Sequence, residues 1–333
     1  MHRQVPPRIH VLLARESPQA ILICRHRSKQ MVTIGWNRST DEFTVGQWLY
    51  GRIEGTHADI APDGKHWIYG VLDPRQSRIL GDRKRAAWTA IALTPYLKAI
   101  SLAFNRAASA GQAESLFLDN RRIWRVGDSW PTEDFGPLHP DFELGPRPSD
   151  LGKREPRYFY RLRRDGWKEE REARSDISPE MRLKTEEFAA GFRDRLCEQF
   201  ARISKIYPDQ MIPGYIVPED VGERYREDVL TRRFWTRELA NGWMLEKHKE
   251  SGEVHGTESH RLVHPAAKRS LDYPLWEWAD WDAFGQRVIW AESGFVRGAI
   301  VTDSGLGPAA DLFDTNPLRF EPLVAPYETD SSK

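Results

Sequence analysis

The chain has 333 residues, 49 Lys+Arg against 49 Asp+Glu, and a formal net charge of zero at pH 7. A hydrophobic share of 40% and an aromatic share of 11% suffice for a large core and exclude global disorder. The charge balance excludes a globally basic nucleic-acid binder and leaves only local patches to weigh.

The first apolar run, residues 9–14, is interrupted by His10 and is shorter than a secretory core, so no leader is expected. No stretch approaches the ~20 apolar residues that span a bilayer, so no membrane association is expected. Short runs rich in β-branched and aromatic residues follow at 8–15, 20–24, 31–34 and 43–49, each strand-like. Cys24 lies in the second, and with Cys197 it forms neither a CxxC nor a disulfide framework. Two reduced structural thiols and a cytoplasmic location are expected. Between residues 58 and 70, Pro62-Asp63-Gly64 separates two arms of a hairpin. Pro presets φ, Asp bonds its own backbone, and Gly accepts a positive φ. Trp88 opens another apolar run, which leads to Tyr96 and Lys98.

Further turn marks stand at Asn120 and Gly166, and residues 136–156, rich in Pro, Gly and charge, read as a long loop. Ser178-Pro179-Glu180 supplies an N-cap, a proline at N1 and an acid in the first turn. Phe188, Phe192, Leu196, Phe200 and Ile203 then recur at helical spacing, which predicts an amphipathic helix over about residues 179–205. Loop and helix together read as an insertion over about residues 136–212. Gly242 and Gly285 are the last turn marks, and residues 328–333 form a polar tail.

Four groups of residues are candidate sites. His248, His255, His260 and His264 cluster with Glu253 and Glu258, so His255, His260 and His264 are weak candidates for metal ligands, against a solvated loop. Pro265 and the nearby glycines argue against the helix that would align His260 with His264. Asp59 and Asp280 could form a glycosidase-like carboxylate pair, or each could cap its own hairpin through backbone N–H groups. Trp88, Tyr96 and Lys98, with Trp276 and Trp278, could line a binding face, because aromatic residues dominate interface hot spots. Strand alternation would put Trp276, Trp278 and Asp280 on one side. The alternative is that these rings fill the core between sheets. Basic clusters at Arg83-Lys84-Arg85, Arg121-Arg122 and residues 161–164 lie close to acidic runs, so nucleic acid is disfavoured. No cofactor is implied: the chain lacks a phosphate-binding Gly-rich loop, GxSxG, HExxH and a dinucleotide fingerprint.

The turn marks recur at intervals of roughly 50 residues, and a period of this order built of four short strands is the sign of a propeller blade. Residues 58–70 align without gaps on 279–291, keeping Ala58/Ala279, Asp59/Asp280, Gly64/Gly285 and Ile68/Ile289 identical. Residues 58–69 resemble the strand, Ser/Ala-Pro-Asp-Gly-Lys, strand signature of the TolB-like class of WD-repeat-like propeller repeats. Residues 279–291 carry it in degenerate form, and no characterised family is identified over the full length. The resemblance implies a fold and assigns no activity, since such repeats serve scaffolds and enzymes alike.

These readings predict an all-β chain: a single β-propeller over residues 1–327, with six blades preferred and five possible. Residues 8–15 would close the ring against 319–325. In such a ring large aromatics fill the wedges between blades, which accounts for 13 Trp against 10 Tyr. The function expected is non-catalytic binding of another protein in the cytosol, with no catalytic residue assigned. The alternative is a propeller hydrolase, glycosidase- or esterase-like, with carboxylates near the central channel.

Overall fold

The structure, a computed structural model, describes residues 5–27, 30–72, 87–104, 115–125, 138–152, 155–206, 217, 219–249 and 258–327. It is β-rich and built of several antiparallel sheets, as the strand-like runs predict. The first sheet is a meander of β1 (Arg8–Leu13), β2 (Gln19–Arg27), β3 (Gln30–Asn37) and β4 (Glu42–Tyr50). The second holds β5 (Arg52–Ile53), β6 (Asp59–Ile60), β7 (His66–Leu72), β8 (Ala87–Leu93) and β9 (Ala99–Phe104). The third holds β10 (Ser115–Phe117), β11 (Arg122–Arg125) and the parallel β12 (Glu143–Leu144). The fourth runs β13 (Lys168–Ala173), β14 (Thr231–Glu238), β15 (Met244–Lys249), β16 (Glu258–His264) and β17 (Arg269–Tyr273). The fifth holds β18 (Trp278–Asp282), β19 (Arg287–Glu292) and β20 (Phe295–Ala299). A small hairpin, β21 (Val301–Thr302) and β22 (Gly305–Leu306), precedes its last strand, β23 (Ala310–Asp314).

Both faces of the first, second and fifth sheets are covered, and the period of two along a strand feeds two different cores. On β2, Ile21 and Ile23 enter the core shared with the second sheet, while Ala20, Leu22 and Cys24 enter the one shared with the fifth. On β7, Trp67 and Tyr69 face the first sheet and Ile68 faces Phe117 and Ile123 of the third. On β19, Val288 and Trp290 face the fourth sheet and Ile289 and Ala291 the first. The first and second, second and third, and fourth and fifth sheets therefore share cores, the fifth packs back on the first, and the third and fourth share none directly. Most described tryptophans lie buried at these junctions: Trp67, Trp36 and Trp278, Trp124, and Trp167, Trp235, Trp243, Trp276 and Trp290.

Four turn marks, Gly64, Asn120, Gly285 and Pro18 (which the sequence places as the first of six, between the runs at 8–15 and 20–24), join the first hairpin of a sheet, and Gly242 joins β14 to β15. Three of these turns are tied together. The Ser17 hydroxyl donates to the Asp63 carbonyl at 2.8 Å, and the Asp63 N–H donates to Asn120 Oδ1 at 2.8 Å. Gly64 has φ +75°, and a Cβ there would collide with the Gln19 side chain, so turn shape and close approach both require glycine.

Three sequence-based expectations change. Gly166 does not join a hairpin: it ends a helix, α1 (Arg157–Arg164). Among the described residues there are thus five sheets of three or more strands for six turn marks. The predicted helix over about 179–205 is two helices, α2 (Pro179–Ala190) and α3 (Phe192–Ile206), broken at Gly191. Ser178 caps α2, its hydroxyl oxygen accepting from the Met181 N–H at 3.2 Å. A further helix, α4 (Val221–Leu230), follows, and α2 to α4 all lie between β13 and β14, which explains the long interval between the Gly166 and Gly242 marks. Finally, residues 8–15 do not pair with 319–325. β1 pairs with β2 and packs on β18 and β19, while the later segment meets the first sheet where Gln47 Nε2 donates to the Leu323 carbonyl at 3.0 Å. No helix among the described residues is long and apolar enough to cross a membrane.

Candidate functional site

Helix α1 positions the charges around which the site is built. It begins after Pro156, and its end is a Schellman motif: the Trp167 N–H donates to the Leu162 carbonyl at 2.9 Å and the Gly166 N–H to the Arg163 carbonyl at 3.0 Å. Gly166, at φ +94°, takes the left-handed position this motif needs. Tyr158, Phe159 and Leu162 bury one side of α1 against the core of the fourth and fifth sheets, and Tyr160 packs near Leu116 and Trp124 of the third. The helix thus fills the junction between the third and fourth sheets and carries Arg161 and Arg164 inward.

A cavity of about 350 Å³ lies where α1 meets the first hairpins of the sheets. Its wall draws on β1 and the loop after it, on β6, on α1 and its cap, and on β14, β15 and β18. Asp59 of β6 and Asp280 of β18 both face it. They are equivalent in register, Asp59 opposite Ile68 and Asp280 opposite Ile289, so the gapless sequence alignment corresponds to matching hairpin positions.

Asp59 does not cap its own hairpin, whereas Asp280 Oδ1 accepts the N–H of Trp281 in its own strand at 2.7 Å. Arg164 grips Asp59 with both amino groups, Nη1 to Oδ2 at 2.7 Å and Nη2 to Oδ1 at 2.8 Å, and the Phe117 N–H donates to Oδ2 at 2.9 Å. Burial alone would raise the Asp59 pKa, but Arg164, Arg161 and the Phe117 N–H outweigh it and hold the carboxyl below its ordinary value. Asp280 accepts from Arg237 Nη1 at 2.6 Å on Oδ1 and from Trp167 Nε1 at 3.3 Å on Oδ2. Asp282, on the same strand, is fully buried and meets Arg38 Nη1 at 3.2 Å. The Arg38 guanidinium also donates to the carbonyls of Ala14, Ser17 and Pro18, so it joins the first and fifth sheets.

Lys247 lies deeper in the wall, with its Nζ 4.8 Å from the Trp167 ring centroid and 3.6 Å from Glu258 Oε2. The Tyr158 hydroxyl donates to Glu258 Oε1 at 2.6 Å. Behind this group His260 is buried, and burial together with Lys247 lowers its pKa to about 3. His260 is a neutral packing residue at physiological pH. Arg15 stands at the cavity edge, with no hydrogen bond or ion pair from its side chain among the described residues. Burial and the neighbouring Arg164 lower its pKa from the ordinary arginine value.

The aromatic, lysine and histidine candidates from the sequence do not meet at this site, with one exception. Trp278 lines the cavity, though it is buried between the fifth and first sheets. Trp276 lies on the other face of the fifth sheet, stacked on Tyr273 at 4.0 Å and Trp290 at 4.8 Å, because regular alternation starts only at Trp278. At 4% and 3% exposure, Trp276 and Trp278 are core rings and not surface anchors. Trp88 packs against the core of the first two sheets. Tyr96 is half-buried beside a separate groove, edge-on to Tyr327 at 6.0 Å, and Lys98 is exposed. His264 is edge-on to Trp243, His260 faces Trp276, and His255 lies outside the described residues. Among the described residues no group of three or more His, Cys, Asp or Glu is placed to hold a metal ion.

The arginines of 161–164, read from sequence as part of a charged surface, are the functional residues that sequence reasoning missed. The available signal was helical: Arg157, Arg161 and Arg164 recur at steps of four and three beside Tyr158, Phe159 and Leu162, between Pro156 and Gly166. Arg83-Lys84-Arg85 lies outside the described residues, and Arg122 pairs with Asp119 at 2.6 Å. Compared with known proteins, the sequence matches no protein-family model, and no curated protein matches it significantly.

Proposed function

We propose that this protein is a five-bladed β-propeller acting as a non-catalytic binding module of the cytosol, which engages another protein at the mouth of its central cavity. Five blades are preferred to six because one turn mark ends α1. The cores shared by the first and second, second and third, fourth and fifth, and fifth and first sheets, with α1 filling the junction of the third and fourth, support a closed ring. The TolB-like resemblance of residues 58–69 agrees with it. Loops carried by a rigid disc suit recognition without chemistry.

The observation that carries the binding reading is that each aspartate facing the cavity is already held by a guanidinium, Asp59 and Asp165 by Arg164 and Asp280 by Arg237. A glycoside hydrolase needs one carboxyl with a raised pKa as acid and a second free as base or nucleophile. Asp59 is shifted the opposite way. The test is partner capture on the immobilised protein beside a screen of glycoside and ester substrates. Phe284, 41% exposed at the cavity edge, is the point of attack. Phe284→Asp should abolish capture, while Ile300→Asp, away from the cavity and 67% exposed, should leave it intact. Turnover of any substrate that is lost in Asp59→Asn or Asp280→Asn would overturn the reading in favour of a hydrolase.

A further inference from the structure

Charge counting around the cavity leaves one cation over. The lining cations are Arg15, Arg38, Arg161, Arg164, Arg237 and Lys247. Against them stand Asp59, Asp165 and Asp280 in the wall, with Asp282 and Glu258 directly behind Arg38 and Lys247. Arg164 serves both Asp59 and Asp165, Arg237 serves Asp280, Arg38 serves Asp282, and Lys247 faces Glu258. Arg161 is spent on the carbonyls of Gly55 and Ala58. The remaining guanidinium, Arg15, is half-buried, its Nε is buried without a hydrogen bond, and its side chain makes no hydrogen bond or ion pair among the described residues, while Asp165, Asp59 and Glu16 attract it only at longer range. Glu16 beside it is exposed and screened by solvent. An arginine keeps its charge at any physiological pH, so the site has a standing demand for an anion.

The remainder of the wall selects what carries that anion. Trp167, Trp278, Trp281 and Phe284 give it flat apolar surface, and Phe284 projects to solvent with the Arg38 guanidinium 4.8 Å from its ring centroid. A volume of about 350 Å³ is at the small end of ligand cavities, which run from ~300 to 1,000 Å³. One surplus charge balances a carboxylate and not a doubly charged phosphate. The last carbonyls of α1, which would repel an anion, are engaged by its cap.

We infer that the central cavity binds a single carboxylate carried on an aromatic group, with the Arg15 guanidinium as its fork-shaped anchor and the tryptophan wall as the seat of the ring. This rests on the binding-module reading, and it gives the partner a chemistry: a free aromatic carboxylic acid, or a polypeptide C-terminus ending in an aromatic residue.

The experiment titrates the full-length protein with N-acetyl-phenylalanine, its amide, and two heptapeptides ending in phenylalanine with a free or an amidated terminus. Binding is followed by calorimetry and tryptophan fluorescence. Each acid should bind at least tenfold more tightly than its amide. Arg15→Ala should erase that preference, and Arg15→Lys should retain part of it, with thermal unfolding unchanged in both. A peptide acid that binds tighter than N-acetyl-phenylalanine assigns the site to a partner's C-terminus, and equal affinity assigns it to a free acid. Equal binding of acid and amide, undiminished preference in Arg15→Ala, or no binding by any probe would overturn the inference. If it falls while Phe284→Asp still abolishes partner capture, the binding-module reading stands. Hydrolysis of the N-acetyl-phenylalanine amide would end both.

Discussion

Replacing Arg164 by methionine should destabilise the fold severely, because the Asp59 carboxylate it holds is 1% exposed. The guanidinium makes two charge-assisted bonds to Asp59, one to the Phe117 carbonyl at 3.1 Å and two to Asp165. Methionine preserves much of the side-chain volume and removes every one of these bonds. Asp59 would keep only the Phe117 N–H, with one oxygen stranded in the wall. Loss of one member of a buried ion pair typically costs about 3–5 kcal/mol. For a protein of this size that corresponds to a fall in Tm of roughly 4–7 °C. Asp59→Asn should cost less, about 1–3 kcal/mol, since Arg164 keeps Asp165 as a partner. The double variant should be less destabilised than the two single losses added together, because no unpaired charge remains at position 59 and the partly exposed Asp165 is left to solvent. Urea unfolding of the four proteins completes the cycle. A cost below ~0.5 kcal/mol for Arg164→Met, in the range of a neutral surface change, would refute the role assigned to this pair.

Three further outcomes follow from the same packing. His260 has a folded pKa of about 3 against an unfolded value near 6.5, so its contribution is complete above about pH 6.5 and fades as pH falls toward 3. It is faced by Lys247 and His248 from β15 and by Glu258 on its own strand. Stability of the wild type should fall over that window by up to about 1.4 kcal/mol per pH unit more than that of His260→Phe, and parallel profiles would refute the assignment. Gly64→Ala should cost about 1–3 kcal/mol in denaturant unfolding through left-handed strain plus collision with Gln19. Gly166→Ala has a positive φ but no contact nearer than 3.5 Å, so it should cost only the strain, on the order of 1 kcal/mol. In thiol titration one cysteine per native molecule should react rapidly, the exposed Cys197. Cys24, buried and with its pKa raised by burial, should react only in denaturant.

What is legible in the sequence is local. The hairpins at 58–70 and 279–291 follow from turn chemistry and alternation, and their shared register, Asp59 to Ile68 and Asp280 to Ile289, follows from loops of equal length. The two turns still differ inside: Gly64 takes the positive φ in the first, and Gln286 takes it in the second. Gly166 defeats a sequence reading for a physical reason. An Asp-Gly pair serves equally as the corner of a hairpin and as the end of a helix, because both demand a left-handed residue. Only the three-and-four spacing upstream separates the two uses, and four arginines in α1 leave its apolar stripe narrow. Trp276 escapes the alternation because its N–H is engaged with the Tyr273 carbonyl in a turn, outside the pleat.

The site is half legible, because an aspartate can be found from its repeat but its partner cannot. Arg164 is 105 residues from Asp59, Arg38 is 244 from Asp282, and Arg237 is 43 from Asp280. Nothing local announces such pairs. Each joins separate units: Arg164 ties α1 to the second sheet, Arg38 ties the first sheet to the fifth, and Arg237 ties the fourth to the fifth. Among the described residues, the five main sheets have no backbone strand pairing between them, so side-chain packing and these ion pairs carry their association. Charges that a hydrolase would hold in readiness are thereby committed to cross-links. Substitution in those pairs should therefore act on stability, whereas substitution of Arg15, which joins no two units, should act on binding alone. An Arg15→Ala protein whose unfolding midpoint fell as far as that of Arg164→Met would contradict that division of roles.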